Sequence, residues 1–462
     1  MGGSATSACL VIIIGLAFWL GYTRLRVGYL LSPLSVMILL LVAIFGVRPL
    51  RMMQTATFDF YGYDISSGVQ FATTVGLVAT VGVVMGALVC LPLVGRLVRD
   101  NTGVERAETG LGSAVGESFV AAIAILAVWF ALSLQFAGGI AAFVAMFGGR
   151  TSQISSSAAG VPVVVPALPV VAALVVAAVR FTVEGAARYM PRQNLMYWVV
   201  IALTIIPPTA LGNRRFLIPA LIVGVAGAAR ILWFRRVRVR YLVAVVLVFV
   251  ILASIPFVRS AGSRVRGSDD FLGSLYEYVG ESGLTGVFDA FFLSYDTEMF
   301  NYVSFFGPRL GDAIPYGHGQ ATLGELFLVM LPSGIAPGEK WSDMLLTEAF
   351  GAGCGALYCP VPSVFGTLLV DGGLVFVFLG SFLLGLLAAP VPYQLAVAPP
   401  AARVLLLLAV VAFAATVVRG NPVSQLWIAL QCTLLAILVF VLLIRRASRR
   451  SSRRIIAEPR RA

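Results

Sequence analysis

Phe365–Gly380 reads FGTLLVDGGLVFVFLG, and Asp371 is its only ionisable residue. Together with the SFLLGLL that follows, the run exceeds the ~20 residues that carry a helix across a bilayer. A carboxylate within such a run is costly and marks a candidate functional group by default. Asp371 sits about eight residues into the expected span, roughly 12 Å below its outer end at ~1.5 Å per residue. The glycines at 372 and 373 also offer a helix break. Two readings of Asp371 therefore stand side by side: a functional carboxylate, or a cap for a helix restarted after the break.

The rest of the chain repeats the apolar pattern. Hydrophobic residues make up 59% of the sequence and charged residues 12%, with a mean hydropathy of +0.96. A soluble domain needs about a quarter charged residues to cover its surface, so the class is an all-α polytopic membrane protein. Barrel strands would alternate polar and apolar residues over ~10-residue segments, which these near-continuous runs do not do. The first run, ACLVIIIGLAFWLGY at 8–22, has no Lys or Arg before it and no small-residue cleavage site after it. It reads as a retained span and not as a signal peptide.

Hydropathy predicts about eleven spans, near 7–22, 29–47, 68–94, 117–147, 160–180, 195–211, 216–234, 241–258, 363–389, 402–418 and 425–444. Two are over-long and are expected to tilt or kink. Leu323–Leu331 is apolar but too short to cross, and is expected to be re-entrant or interfacial. The resulting division is spans one to eight within 1–258, a long external loop at 259–362, the last three spans within 363–444, and a basic tail at 445–462. With that tail inside, TRLR (23–26) and FRRVRVR (234–240) also fall inside, as do two thirds of the Lys and Arg residues. Most acids fall outside, in agreement with the positive-inside rule. The formal net charge of +12 is thus membrane-associated and does not point to nucleic acid.

Several chemistries have no sequence support. There is no phosphate-cradling GxxxxGK[ST], HExxH or paired CxxC, and a single histidine cannot build a His-based metal site. GSDDF at 267–271 is a weak carboxylate pair in a solvated loop. Cys354 and Cys359, in GAGCGALYC, are a disulfide candidate in an oxidising exterior. The 259–362 loop is long enough to be functional and is expected to carry one or two short helices, including an amphipathic one around 285–306. Its IPYGHGQATLGE, at 314–325, contains His318, the only histidine. Flanking glycines permit a turn and close approach of a ligand, and histidine ordinarily titrates close enough to neutrality to serve as a base.

Arginines at the expected external ends are the second unusual feature. LGNRRFLIP places Arg214 and Arg215 in a tight hairpin, Arg150 ends a span, and Arg48, Arg51, Arg419, Arg309 and Lys340 lie on the same side. A guanidinium grips phosphate in a bidentate fork and keeps its charge. Each arginine also has a plainer reading as a headgroup-snorkelling side chain.

Four segments resemble one known family: YLLSPLSVMILLL (29–41), LGNRRFLIPALIVG (211–224), IPYGHGQATLGELFLVMLPSGIAPGEK (314–340) and PSVFGTLLVDGGLVFVFLGSFLLGLL (362–387). Together they are similar to the Wzy-type O-antigen and capsule polymerases, relatives of the O-antigen ligases. One departure is Pro332-Ser333-Gly334, where that family commonly has a basic residue after the proline. The resemblance implies a glycosyltransferase-C-like fold in the plasma (inner) membrane, with a cytoplasmic C-terminus and an external active face. It implies joining of polyprenyl-pyrophosphate-linked oligosaccharide units without metal, cofactor or nucleotide sugar, beside a chain-length regulator and a flippase as partners. On this reading Arg214, Arg215 and Arg150 hold pyrophosphate, with Arg309 and Lys340 secondary. His318, Glu325 and Asp371 are the candidate bases, and Tyr316 and Trp341 are candidates to stack on sugars. A ligase would use the same groups, and a flippase or transporter is the alternative from a different class. Arg214→Ala and Arg215→Ala should each abolish glycosyl transfer in reconstituted vesicles while membrane insertion is unchanged; full activity in both would remove the pyrophosphate role.

Overall fold

The computed structural model describes residues 2–24, 32–99, 112–137, 139–140, 164–183, 191–210, 214–229, 292–293, 297–330, 344–346, 362–391 and 400–457, and positions 280, 283, 286, 289 and 341. Six of the described helices are long and apolar enough to cross a membrane: Gly2–Thr23, Pro33–Thr55, Ser66–Pro92, Ala114–Phe136, Ser363–Ala388 and Pro422–Ala447. Val165–Arg180 and Val404–Arg419 are shorter apolar helices. The expected span at 241–258 lies outside the described residues, as does the end of the basic tail. The chain falls into two compact units, one of 1–94, 235–390 and 417–424, the other of 95–234, 391–416 and 425–462.

The first unit begins with α1 (Gly2–Arg24) and α2 (Pro33–Thr55). Ser32 starts α2 by accepting a hydrogen bond from Ser35 N at 3.1 Å, and Pro33 takes the first-turn position where its missing N–H costs nothing. A π-turn at Val42–Val47 interrupts α2. Two glycines let α1 sit directly on that turn: a Cβ at Gly15 would lie 2.5 Å from Val42, and one at Gly46 would lie 2.6 Å from Ile12. A hairpin follows, β1 (Asp59–Phe60) paired antiparallel with β2 (Tyr63–Asp64). Its two turn residues, Tyr61 and Gly62, both have positive φ, 53° and 85°, the geometry that matches the twist of a two-residue hairpin.

Helix α3 (Val69–Arg99) crosses the other long helix of this unit, Ser363–Ala388, at very short range. A Cβ on Gly86 would lie 2.0 Å from the Phe382 carbonyl oxygen, and one on Gly385 would lie 2.1 Å from that of Val83. Gly82 and Ser381 complete the crossing. Small residues four apart on each helix remove the side chains that would hold the backbones apart.

The second unit contains α4 (Gly112–Ala137), α5 (Val164–Val183), α6 (Pro191–Ala210) and α7 (Arg214–Ala229). Val170–Val179 of α5 is buried at every position. Tyr197 fastens α6 to α7 by donating to the Gly224 carbonyl at 2.9 Å, and the Arg180 guanidinium lies over the Tyr197 ring at 4.2 Å. Of the expected span at 117–147, residues up to Ala137 form one helix, and 141–147 lie outside the described residues.

Within the first unit lies α8 (Met299–Phe306). An amphipathic helix was expected around 285–306; instead all eight residues of α8 are buried. The reason is cover on every side: Phe300 meets Phe45 of α2, Phe305 meets Phe60 and Tyr63 of the hairpin, and the Ser304 carbonyl abuts Gly68. A π-turn at Gln320–Gly324 leads into α9 (Glu325–Met330), then come α10 (Ser363–Ala388), α11 (Pro400–Arg419) and α12 (Pro422–Ala457). Helix α12 continues well past the expected span end at 444 because RRASRRSSRRIIA contains no Gly or Pro. Its Leu426, Leu430, Leu434, Leu438 and Leu442 form an exposed apolar stripe. Gly86→Leu or Gly385→Leu should destabilise the protein by about 1–3 kcal/mol or more through overpacking. Gly116→Ala, with nothing within 4 Å, should stabilise by about 0.5–1 kcal/mol; thermal unfolding in detergent micelles measures both.

Candidate functional site

The site is built on the break in α10. Gly372 (φ −167°, ψ 30°) and Gly373 (φ 66°, ψ −157°) are non-helical inside an otherwise continuous helix. The Gly373 conformation is one that only glycine adopts without strain. Two carbonyls next to the break are consequently free to accept from outside the helix. Val370 O accepts from Gly317 N, and Asp371 O accepts from His318 N, each at 2.9 Å.

The Asp371 side chain completes the attachment. Its Oδ1 accepts from Ala321 N at 2.9 Å, and its Oδ2 accepts from Thr322 N at 3.0 Å and Thr322 Oγ1 at 2.6 Å. Asp371 is fully buried, and these donors supply the partners that a buried carboxylate requires. It does cap a helix, but not the one that restarts beyond Gly373: it caps the segment that opens at Gln320. With these three donors Asp371 anchors residues 321 and 322 to the helix break.

Gly317 is the contact point. A Cβ there would lie 2.7 Å from Asp371 Oδ1 and 3.5 Å from the Trp341 ring. His318 follows with φ 49° and Gly319 with φ 91°. Two consecutive left-handed residues reverse the chain and feed it into the π-turn. The His318 side chain is exposed, and its ring lies 6.5 Å from that of Tyr316. Tyr316 is half-buried against Gly311 and Gly373, and Trp341 is half-buried beside Gly317. His318, Tyr316, Trp341 and Asp371 are thus brought together around one helix break.

Glu325 faces the other way. It is fully buried, and its Oε2 accepts from Asn421 Nδ2 at 2.8 Å. Asn421 Oδ1 accepts from Val423 N and Ser424 N at 3.0 and 3.3 Å, which caps α12. Burial, and after it the Glu325 charge, pushes the Tyr302 phenol up from its ordinary value, so that group stays neutral. Glu325 therefore ties α9 to the α11–α12 turn.

The cations expected at external ends divide into distinct roles. Arg48 is buried; its Nε donates to Asn301 Oδ1 at 3.1 Å and its Nη1 to Phe292 O at 2.8 Å and to Thr297 Oγ1. Glu298 supplies the facing negative charge and also accepts from Tyr61 Oη at 3.1 Å. Arg51 makes a forked pair with Asp289. These two arginines clamp the stretch before α8 onto the end of α2, a use that sequence gives no direct sign of. Arg309 is half-buried, stacks on Phe305 at 4.1 Å and donates to the Phe305 carbonyl, with no acidic partner among the described residues. Arg214 and Arg215 open α7 in the second unit, and their side chains lie outside the described residues. Arg150, Lys340, Cys354 and Cys359 also lie outside them. No group of three or more His, Cys, Asp or Glu able to hold a metal occurs among the described residues.

No family model, curated protein or solved structure matches the chain. Asp371→Ala removes the cap from two backbone N–H groups at a cost of ~1–3 kcal/mol for each group left unsatisfied. Hydrogen exchange of the peptide covering 317–330 should accelerate by more than tenfold in this variant, with exchange in α3 little changed. Unaltered exchange at 321 and 322 would contradict the anchoring role.

Proposed function

We propose that the protein polymerises polyprenyl-pyrophosphate-linked oligosaccharide repeat units at the external face of the plasma membrane. The reading takes the fold as glycosyltransferase-C-like with about eleven spans, the C-terminus cytoplasmic, and 259–362 external. One observation carries it: an exposed histidine held in a left-handed backbone conformation at a helix break. Residues other than glycine reach φ near 49° at a cost of ~1 kcal/mol or more, and glycine would occupy position 318 more cheaply. Retaining histidine there, with its backbone N–H fixed to Asp371 O, favours a role for the imidazole itself.

In the proposed reaction an imidazole nitrogen of His318 takes the proton from an acceptor sugar hydroxyl. The hydroxyl oxygen bonds to the anomeric carbon of the donor saccharide, and the bond from that carbon to the pyrophosphate oxygen breaks. Polyprenyl pyrophosphate leaves carrying the electron pair. Cationic side chains stabilise the developing charge; the family resemblance assigns this first to Arg214 and Arg215, with Arg150, Arg309 and Lys340 supporting them. Tyr316 and Trp341 offer apolar faces to the sugar rings beside His318. Asp371 is a positioning residue in this scheme, and Glu325 a structural one. A chain-length regulator and a flippase are the expected partners.

A broken helix beside a half-helix also occurs in secondary transporters, where the break binds the cargo. Here the Asp371 oxygens are taken by Ala321 and Thr322 of the same chain, which favours the transferase. A ligase differs only in its acceptor. Purified protein given a lipid-linked repeat unit should yield a ladder of longer saccharides. Single-unit transfer to a different acceptor identifies a ligase, and lipid translocation without transfer identifies a transporter. His318→Ala should lower turnover at least ~100-fold, as should His318→Gly, while the glycine variant keeps or gains up to ~1 kcal/mol of stability. Near-normal turnover of His318→Ala between pH ~5.5 and ~8 would exclude the imidazole as base.

A further inference from the structure

Asp371 also fixes the depth of the segment it holds. Ser363–Ala388 has 26 residues, ~39 Å of helix at ~1.5 Å per residue. The hydrocarbon core it would cross is ~30 Å thick. Asp371 lies about eight residues, or ~12 Å, from the Ser363 end. Even when all the surplus length projects at that end, Asp371 remains inside the core. The amides of Ala321 and Thr322 bond directly to its carboxylate, so the start of the 320–330 segment is carried to the same depth.

The side chains of that segment match such a position. Ala321 and Glu325 point inward, at 1% and 0% exposure, while Leu323 and Phe327 are 64% and 68% exposed. Two large apolar residues at i and i+4 form one helix face. The lipid-facing stripe of α10 begins immediately beyond the break, with Val375, Leu379, Leu383 and Leu387 all more than half exposed. Exposed apolar side chains therefore lie on both segments that meet at the Asp371 carboxylate, Leu323 and Phe327 on 320–330 and Val375 onward on α10. The backbone polar groups at the start of the segment, which would be intolerable in hydrocarbon, are the ones Asp371 satisfies.

We propose that Gln320–Met330 is a re-entrant half-helix embedded in one leaflet, with Leu323 and Phe327 in contact with lipid acyl chains. The occupant of this face is the bilayer itself, continuous with the lipid contact of α10. His318, whose amide bonds to Asp371 O, enters with the start of this segment, its exposed ring just ahead of Gln320. The inference rests on α10 crossing the membrane and not on the transferase reading, so either can fail without the other.

Site-directed nitroxide labelling in phosphatidylcholine vesicles tests it. In a full-length chain with its native cysteines replaced, single cysteines are introduced as Leu323→Cys, Phe327→Cys, Val375→Cys and Asp312→Cys. Labels at 323 and 327 should show the high oxygen and low aqueous nickel-chelate collision rates of the Val375 label. Rates like those of Asp312, an exposed turn residue, would overturn the proposal. Low collision with both reagents, signifying a covering protein surface, would overturn it as well. Hydroxyl-radical footprinting of the unmodified chain in nanodiscs avoids substitution altogether. Phe327, 68% exposed, should be protected relative to Tyr63, 43% exposed, once intrinsic ring reactivity is normalised; equal or greater oxidation of Phe327 contradicts membrane burial.

Discussion

The hydrogen bonds between the Asp371 carboxylate and residues 321 and 322 are the constraint on which the site depends. A helix broken at Gly372–Gly373 exposes carbonyls and a carboxylate that need donors. The stretch Gly317–Thr322 needs acceptors, because it turns through two left-handed residues and then opens a helix whose first N–H groups have no partners of their own. Each irregularity satisfies the other. Removing the break would leave the turn without acceptors, and removing the turn would leave a charge in an apolar run. This mutual dependence holds His318 at a fixed place, with its backbone bound and its ring exposed.

Charge elsewhere in the first unit is spent on architecture. Arg48 and Arg51, which stood among the external cations, are engaged by Asn301, Thr297, the Phe292 carbonyl and Asp289. A buried arginine needs such a full set of partners, and its fork reaches several carbonyl and amide oxygens at once. The clamp holds the approach to α8, whose aromatic residues fill the space between α2, the hairpin and α10. Arg309 differs in that its guanidinium lies over the Phe305 ring and donates to the Phe305 carbonyl. The cations are therefore not interchangeable, although each looks alike as an arginine near the end of an apolar run.

The helices were legible because their runs are long and apolar, and Ser363–Ala388 lies within a residue of the expected 363–389. The break was legible in outline, since Asp-Gly-Gly in an apolar run has few explanations. What it holds was not: Asp371 and Thr322 are far apart in sequence, and no local period connects them. The burial of α8 was missed for the same reason, because its cover comes from Phe45, Phe60 and Tyr63 on other elements. The hairpin at 59–64 was missed because Tyr-Gly takes the place of the usual Asn-Gly turn signal. His318 and Tyr316 were found by composition and local glycines, whereas Asn421 as the partner of Glu325 had no sequence signal. Placing Glu325 among the candidate bases rested on residue type, and its buried hydrogen bond to Asn421 gives that residue type a structural use.

A double-mutant cycle between Asp371 and Thr322 tests the central interaction most directly. Unfolding free energies in detergent would be measured for the unmodified chain, Asp371→Ala, Thr322→Val and the double variant. A hydrogen bond to a charged, buried carboxylate predicts a coupling of about 1.5 kcal/mol or more between the two positions. Additivity within ~0.5 kcal/mol would show that the two side chains do not meet, and the carboxylate would then not be what anchors this segment to the helix break.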